Sequence, residues 1–368
     1  MTTPANYPHL DHSILDIFRQ KLHENPYLIE IAHHFRETSP ALPEDIEIVI
    51  DDAVSSSEAS AEIYKEISQV RISTMTVLCE LGVDVNLDVF YEHLPVSSPR
   101  SKVREDGTVD TYRIVSLEYM EKTAKGTPKQ KKRRVSEKAG EATTAADTKR
   151  RKSFYNQATI VLDYIKAVNL KLFRNGSIHI TGIIDEEQGK SAVGFLCDEI
   201  RAIYEKHPEV LTSTVDGRRT IDAIGCHKWD IVMINSDFSC NFRIRREKLF
   251  EILDAKYGLV VNYESDNYPG VKTSFYWNEA DPQRTGICVC SKGKTCSGKG
   301  RGMLVGYEDD KLAKHCRKIT ISVFQSGKII ITGARNKEQI VDAYTFITRV
   351  LTTHFDTVAK RGCVRDES

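Results

Sequence analysis

An internal duplication constrains the fold of this chain more than any other feature of its sequence. Leu170–Gln188 (LKLFRNGSIHITGIIDEEQ) and Ile321–Gln339 (ISVFQSGKIIITGARNKEQ) align without a gap at a constant offset of 151 residues. The matches include Phe173 with Phe324, the turn glycine after each phenylalanine, and an Ile-Thr-Gly triplet. Self-similarity at a fixed offset is the signature of a repeated structural unit, so we expect two copies of one fold.

Both copies contain the signals of a β-hairpin that leads into a helix. In the first copy a turn at Arg174–Gly176 precedes the isoleucine-rich strand Ser177–Thr181, and Gln325–Gly327 and Lys328–Thr332 repeat this order. Asn-Gly and Ser-Gly supply the positive φ that a tight turn needs. Apolar residues at helical spacing follow the hairpins: Val193, Leu196, Ile200 and Ile203 in the first copy, and Ile340, Tyr344, Ile347 and Leu351 in the second.

A strand and a helix precede each hairpin. The strands are predicted at Arg71–Leu78 and Asp230–Ile234, and the helices at Asn86–His93 and Arg245–Lys256. This order of elements is typical of an α+β unit in which helices cover one face of an antiparallel sheet. The other sheet face is then available for a partner.

Charge is distributed unevenly along a chain whose net charge is zero. Residues 1–70 carry 13 acidic and 4 basic residues, residues 121–153 carry 12 basic and 4 acidic, and residues 218–368 carry 25 basic and 18 acidic. This asymmetry favours contact with a polyanion, although a mixed solvated surface explains it as well. No run of 18 apolar residues exists, so no membrane span is predicted. No recognisable catalytic motif is present, so we do not expect an enzyme.

Cysteines cluster where the second copy is interrupted. Cys288, Cys290, Cys296 and Cys316 can supply four thiolates to one structural Zn²⁺, which would stabilise a loop rich in Gly and Lys. The alternative is a set of free thiols in a loop.

The duplicated motif resembles that of the TATA-box-binding protein family. Val323–Ala334 (VFQSGKIIITGA) is similar to the family's second-repeat hallmark, and Leu172–Gly182 to the first. Tyr263–Gly270 (YESDNYPG) resembles the family's stirrup loop. Phe242–Arg245 (FRIR) resembles the family's Phe-Pro-Ile-Arg segment, which follows an early strand. The long insertions are similar to those of divergent members from large DNA viruses.

The resemblance implies an α+β fold in which two repeats form a pseudo-twofold saddle, a curved antiparallel sheet with helices on its convex face. The expected organisation is an acidic N-terminal extension, two repeats that each contain an insertion, and a tail. The extension covers 1–69, the first repeat 70–217 with a disordered basic insertion at 98–153, the second repeat 218–356 with a Cys/Gly-rich insertion at 279–315, and the tail 357–368.

The resemblance also implies a transcription initiation factor that binds and bends A/T-rich promoter DNA from the minor groove. The side chains that would insert as wedges between base pairs and unstack them correspond to Phe173, Phe324 and Tyr268. The fourth corresponds to Phe154, Tyr155 or Asn156, between which the resemblance does not choose. Groove-floor and phosphate contacts correspond to Thr181, Thr332, Val232, Ile330, His179, Lys328, Arg335 and Lys337. Arg71 and Asp230 stand where the family has paired asparagines, so altered sequence preference is expected.

Partners and location follow by the same resemblance. Glu264 and Asp266 in the stirrup are expected to contact a IIB-like factor, and the protein, a monomer on DNA, would recruit RNA polymerase. Basic Pro128–Val135 and Lys149–Lys152 indicate import into the nucleus; the alternative location is a cytoplasmic viral factory or the virion. The alternative function is a protein-interaction scaffold that has lost sequence-specific DNA binding.

Overall fold

The computed structural model divides into two compact units, Thr74–Ile231 (the first unit) and Met1–Ser73 with Val232–Ser368 (the second unit). The residues it describes are 67–103, 109–127, 156–212, 221–264, 268–290, 296–303 and 315–360. None of the helices within these ranges is long and apolar enough to cross a membrane.

The first unit is an antiparallel sheet with two α-helices. Its elements, in chain order, are β1 (Arg71–Glu80, whose first three residues belong to the second unit), α1 (Leu87–His93), β2 (Pro99–Val103), β3 (Val109–Tyr119), β4 (Lys125–Gly126), β5 (Gln157–Tyr164), β6 (Lys166–Phe173), β7 (Ser177–Ile183) and α2 (Glu186–Tyr204). The strand order is β2-β3-β5-β6-β7-β1, and β4 pairs with β3.

The second unit repeats this order of strands and helices, but its sheet has fewer strands. It contains β8 (His227–Ser239, whose first five residues belong to the first unit), α3 (Arg246–Ala255), β9 (Val260–Asn262), β10 (Gly270–Trp277), β11 (Arg317–Phe324), β12 (Lys328–Ala334), α4 (Lys337–Thr353) and α5 (Phe355–Val358). The strand order is β8-β12-β11-β10-β9, all antiparallel. The predicted α+β class is confirmed.

Alternation along the strands places the core on the helix side of each sheet. In β6, Val168, Leu170 and Leu172 are buried, whereas Lys171 and Phe173 between and after them are half-buried on the opposite side. Burial of one such aliphatic side chain contributes about 1.5–3 kcal/mol, so these rows hold α2 against the sheet. We call the sheet surface opposite the helices the open face of each unit.

The duplication extends to the hydrogen bonds that start the two long helices. Asp185 caps α2 by accepting from the Gln188 backbone N–H at 2.6 Å, and the Gln188 side chain accepts in return from the Ile184 N–H at 2.9 Å. In α4 the Asn336 side chain accepts from the Gln339 backbone N–H, and the Gln339 side chain accepts from the Arg335 N–H, both at 2.8 Å. Reciprocal bonds of this kind satisfy backbone donors that the first helical turn leaves free.

A bulged glycine explains the Thr-Gly pair that ends each copy of the motif. Gly182 and Gly333 have φ of 94° and 98°, and the ladders to the first strand of each unit shift register beside them. A Cβ on Gly182 would lie 2.8 Å from the Ala167 carbonyl oxygen, and one on Gly333 would lie 3.0 Å from that of Lys318. Positive φ and close backbone approach both require glycine here.

The prediction of disorder across 98–153 is wrong for its described part. β3 pairs with β5 and buries Tyr112 and Tyr119. β2 also lies within this predicted insertion, and its cations face carboxylates on α2: Arg100 lies 3.1 Å from Glu199, and Lys102 lies 2.6 Å from Asp198. Residues 128–155, 1–66 and 361–368 lie outside the described ranges, and so do the two basic import signals.

The predicted strand at Asp230–Ile234 is too short, because β8 runs from His227 to Ser239. Ser236 and Asp237, which lie beyond the predicted strand, are buried within β8. β1 likewise extends two residues beyond the predicted Leu78, to Glu80. The helices match their predicted positions within a residue, since Asn86 and Arg245 are the N-caps of α1 and α3 and Lys256 is the C-cap of α3.

Candidate nucleic-acid interface

The open face of the first unit is lined mainly by hydroxyl, amide and aliphatic side chains. Cross-strand pairing forms two adjacent rows on it. One row runs through Val161, Asn169, Thr181 and Thr76, and the other through Thr159, Lys171, His179 and Leu78. All but Val161 are half-buried, so the face is neither a packed core nor a highly charged surface.

Phe173 lies on this face at the end of β6, beside the turn that leads into β7. Its ring is half-buried and lies 4.7 Å, centroid to centroid, from the imidazole of His179. Burial, with a further effect from the Lys171 charge, lowers the pKa of His179 below the usual 6.5. The imidazole is therefore mainly neutral at neutral pH, and the two rings form a weakly polar edge on the open face.

Phe324 occupies the equivalent place in the second unit. It is half-buried at the end of β11, opposite Gly270, and its ring centroid lies 5.5 Å from that of Tyr268. The Lys272 ammonium lies 3.6 Å from the centre of the Tyr268 ring, a cation–π contact. The structure therefore brings together two of the predicted wedges and adds a cation that the sequence reasoning missed.

The floor of the second open face is also polar. Ser274, Thr320, Thr332 and Asn235 form one row across β10, β11, β12 and β8. Asn235, opposite Thr332, was missed because the predicted strand ended at Ile234. Asn169, opposite Thr181 in the first unit, was missed too, although the alternation of apolar residues in β6 would have placed it on the open face.

A carboxylate lies on this face in the next row, at Asp237 opposite Ile330. Only 12% of its side chain is exposed, and its Oδ2 accepts hydrogen bonds from Arg71 Nη2 at 3.1 Å and Nε at 3.4 Å. Lys328 Nζ lies 3.3 Å from the same oxygen. Two cations predicted to contact DNA are thus joined through an acid that the sequence reasoning did not single out.

The remaining predicted residues are more dispersed. Asp230 and Val232 are half-buried in β8, and the Val232 carbonyl accepts a hydrogen bond from Arg317 at 3.1 Å. Arg335 and Lys337 lie where β12 joins α4. Glu264 is exposed, whereas Tyr155 and Asp266 lie outside the described residues.

The four predicted metal ligands do come together in the second unit. The Sγ atoms of Cys288, Cys290, Cys296 and Cys316 all lie within 4.8 Å of one another. Burial raises the pKa of the Cys316 thiol to about 12, and the hydrogen bonds that Cys316 Sγ donates to Cys290 and Cys288 act in the same direction. Four sulfur atoms at this spacing are the donor set of a tetrahedral metal site, where a cation would favour the thiolates.

A buried ion-pair network supports the segment that carries these cysteines. Asp342 on α4 accepts hydrogen bonds from Trp277 Nε1 at 2.6 Å and Arg284 Nε at 2.8 Å. Arg284 also donates to the Asn278 carbonyl at 2.9 Å, and the Asn278 amide lies 3.6 Å from Cys316 Sγ. The network connects the start of the Cys-rich insertion to the helix side of the sheet.

This chain is similar to a family model, to a viral protein and to a solved structure. A family model described as "Transcription factor TFIID (or TATA-binding protein, TBP)" matches residues 310–354, which include the second copy. The chain is 27% identical over 322 residues to a "TATA-box-binding protein-like" protein of Acanthamoeba polyphaga mimivirus, covering 84% of this chain and 72% of that one. "Methanococcus jannaschii TBP" aligns with a TM-score of 0.34 and 13% identity, covering 78% of this chain and 99% of that one.

Proposed function

We propose that this chain is a divergent TATA-box-binding-protein-like protein that binds promoter DNA from the minor groove and bends it. The observation that carries the proposal is the equivalent placement of Phe173 and Phe324. Each ring is half-buried on an open face, at the end of a strand and beside a tight turn. A ring in that position can insert between base pairs while the strand behind it stays fixed.

Insertion of a ring between two base pairs costs a few kcal/mol per step, and the wider contact that bending allows offsets this cost. The half-buried rows of hydroxyl, amide and aliphatic groups suit the minor groove, whose edges offer few features that distinguish bases. Sequence preference would then come mainly from deformability. Flexible TA steps lower the cost of kinking, which favours A/T-rich promoters.

We further propose that the DNA-bound monomer recruits a IIB-like factor through Glu264 and Asp266, and through it RNA polymerase. Exposure of Glu264 supports this assignment. The basic Pro128–Val135 favours action in the nucleus, and a cytoplasmic viral factory or the virion remains the alternative site of action.

A structural Zn²⁺ is proposed at the four clustered thiols of Cys288, Cys290, Cys296 and Cys316. Zinc bound to four cysteines is closed to substrates, so its contribution would be folding energy rather than chemistry. A zinc ion that binds Cys316, directly before β11, together with Cys288 and Cys290 would join the two ends of the Cys-rich insertion and order the loop between them.

The DNA-binding proposal is tested with fluorescently labelled A/T-rich and G/C-rich duplexes at salt concentrations between about 50 and 200 mM. We expect affinity to fall steeply with salt, and to favour the A/T-rich duplex. Resonance energy transfer between dyes at the duplex ends should report a bend. Phe173→Ala and Phe324→Ala should each reduce the bend, and the double variant should abolish it.

Phe355→Ala is the matched control, because Phe355 is also half-buried but packs against Phe242. It should leave bending unchanged. Persistence of the wild-type bend in the double variant would remove the assigned role of both wedges.

The second candidate function is a protein-interaction scaffold without DNA binding. The Asp237 carboxylate on the second open face and the net charge of zero favour it. Absence of salt-dependent binding to either duplex, in protein whose fold is intact by circular dichroism, would select this alternative.

A further inference from the structure

Arg71, Asp237 and Lys328 form a compact charge cluster on the open face of the second unit. Arg71 reaches Asp237 from the start of β1, and Lys328 reaches it from the start of β12. The ends of both cations remain accessible, with 75% of the Arg71 side chain and 52% of the Lys328 side chain exposed. The carboxylate between them is almost completely covered.

Burial of the acid makes this cluster more persistent than a surface ion pair. An exposed pair contributes about 0–1 kcal/mol and exchanges readily with solvent. A carboxylate that has lost most of its water depends on its partners, and removing them from it is costly. Asp237 therefore holds both cations at positions set by the β8 backbone.

We propose that Asp237 is a positioning residue that withholds Arg71 and Lys328 from DNA phosphates and so limits the sequence-independent part of DNA binding. This inference rests on the proposed function, because it concerns how the same open face meets a duplex. A phosphate that approaches either cation must compete with an acid already in contact with it.

The consequence is a measurable change in salt dependence. Each phosphate contact adds about 0.9 to the slope of log affinity against log salt on duplex DNA. Asp237→Asn removes the charge with little change in shape and releases one or two cations. The slope should become steeper by about 0.9–1.8 on both duplexes, so the loss of affinity between 50 and 200 mM salt grows by about 3.5- to 12-fold.

Asp198→Asn is the matched control. Asp198 also contacts two cations, Lys102 at 2.6 Å and Arg201 at 2.9 Å, but it lies on α2 on the helix side of its sheet. The variant has the same change in net charge and should keep the wild-type slope. Asp237→Glu keeps the carboxylate, so its salt-dependence slope should also be close to that of the wild type. A role of Asp237 in folding alone does not predict this difference between the Glu and Asn variants.

Lys328→Met gives a second measurement if Asp237→Asn does not fold. A lysine held by Asp237 contributes little to phosphate binding, so its removal should change the slope by less than about 0.3, whereas a phosphate contact would make the slope shallower by about 0.9. That shallower slope, or an unchanged slope in folded Asp237→Asn, would overturn the inference. Failure of the wild-type protein to bind any duplex would instead overturn the proposed function.

Discussion

Asp342 offers the sharpest test of how the Cys-rich insertion is anchored. It is 6% exposed, and one of its oxygens accepts hydrogen bonds from both Trp277 and Arg284. Arg284 is itself mostly covered, with 22% of its side chain exposed, and also donates to backbone carbonyls of the insertion. Asp342→Ala would leave an indole N–H and a guanidinium without their shared acceptor.

The expected cost follows from what remains buried. Removal of one partner of a buried ion pair costs about 3–5 kcal/mol when the remaining charge is uncompensated. Glu338 Oε1 stays 3.7 Å from Arg284 Nη2, so we expect a loss toward the lower end of this range. Asp342→Asn keeps an acceptor of similar shape but loses the charge. Because hydrogen bonds to charged groups contribute about 1.5–3 kcal/mol, we expect an intermediate loss for this variant.

Urea unfolding followed by tryptophan fluorescence measures this cost in the second unit. The chain has two tryptophans, and a Trp229→Phe background leaves Trp277, beside Asp342, as the reporter. A reporter within one unit is needed because chains with two units need not unfold in one step. Asp254→Ala, at an exposed site on α3, is the control and should change stability by no more than about 0.5 kcal/mol. A loss below about 1 kcal/mol in Asp342→Ala would refute the reasoning.

Three further predictions test the metal site, the repeated helix caps and the open face. A zinc chelator should lower the melting temperature of the wild type; Cys316→Ser should lose the metal in elemental analysis, whereas Cys226→Ser, outside the cluster, should keep it. Asp185→Ala and Asn336→Ala should each lower the free energy of unfolding by about 1 kcal/mol, measured by urea titration, because they cap equivalent helices. The lowered pKa of His179 means that the unfolded chain binds its proton more readily, so its contribution to stability is lost as pH falls below about 6.5; His179→Gln should flatten the fall in stability between about pH 7 and 5.

The features that sequence reasoning predicted best are those determined by local chemistry. The hairpin turns, the positions of the helices and the α+β class follow from glycine spacing and apolar periodicity. The four cysteines could be grouped because three lie within nine positions, and Cys316 begins the return to β11. Such signals need no knowledge of distant partners.

The features that were missed depend on pairings between distant parts of the chain. Ser236 and Asp237 were left outside the predicted strand, and their partners, the Ile331 carbonyl and Arg71, lie 95 and 166 positions away. β2 was included in the insertion predicted to be disordered, whereas its two cations pair with acids on α2. In both cases a polar residue is satisfied by a partner that composition cannot reveal.

The two copies have kept their backbone geometry and changed their open faces. The bulged glycines, the tight turns and the helix caps are equivalent in both units. At matching register, however, Leu78 opposite His179 in the first unit corresponds to Asp237 opposite Ile330 in the second. Backbone geometry that requires glycine or a cap tolerates little change, whereas a half-buried open-face residue can change without loss of fold. This difference bears on the proposed DNA binding, because the open face of the first unit has Leu78 at the register where the second has Asp237 and therefore lacks an acid there that would repel phosphates.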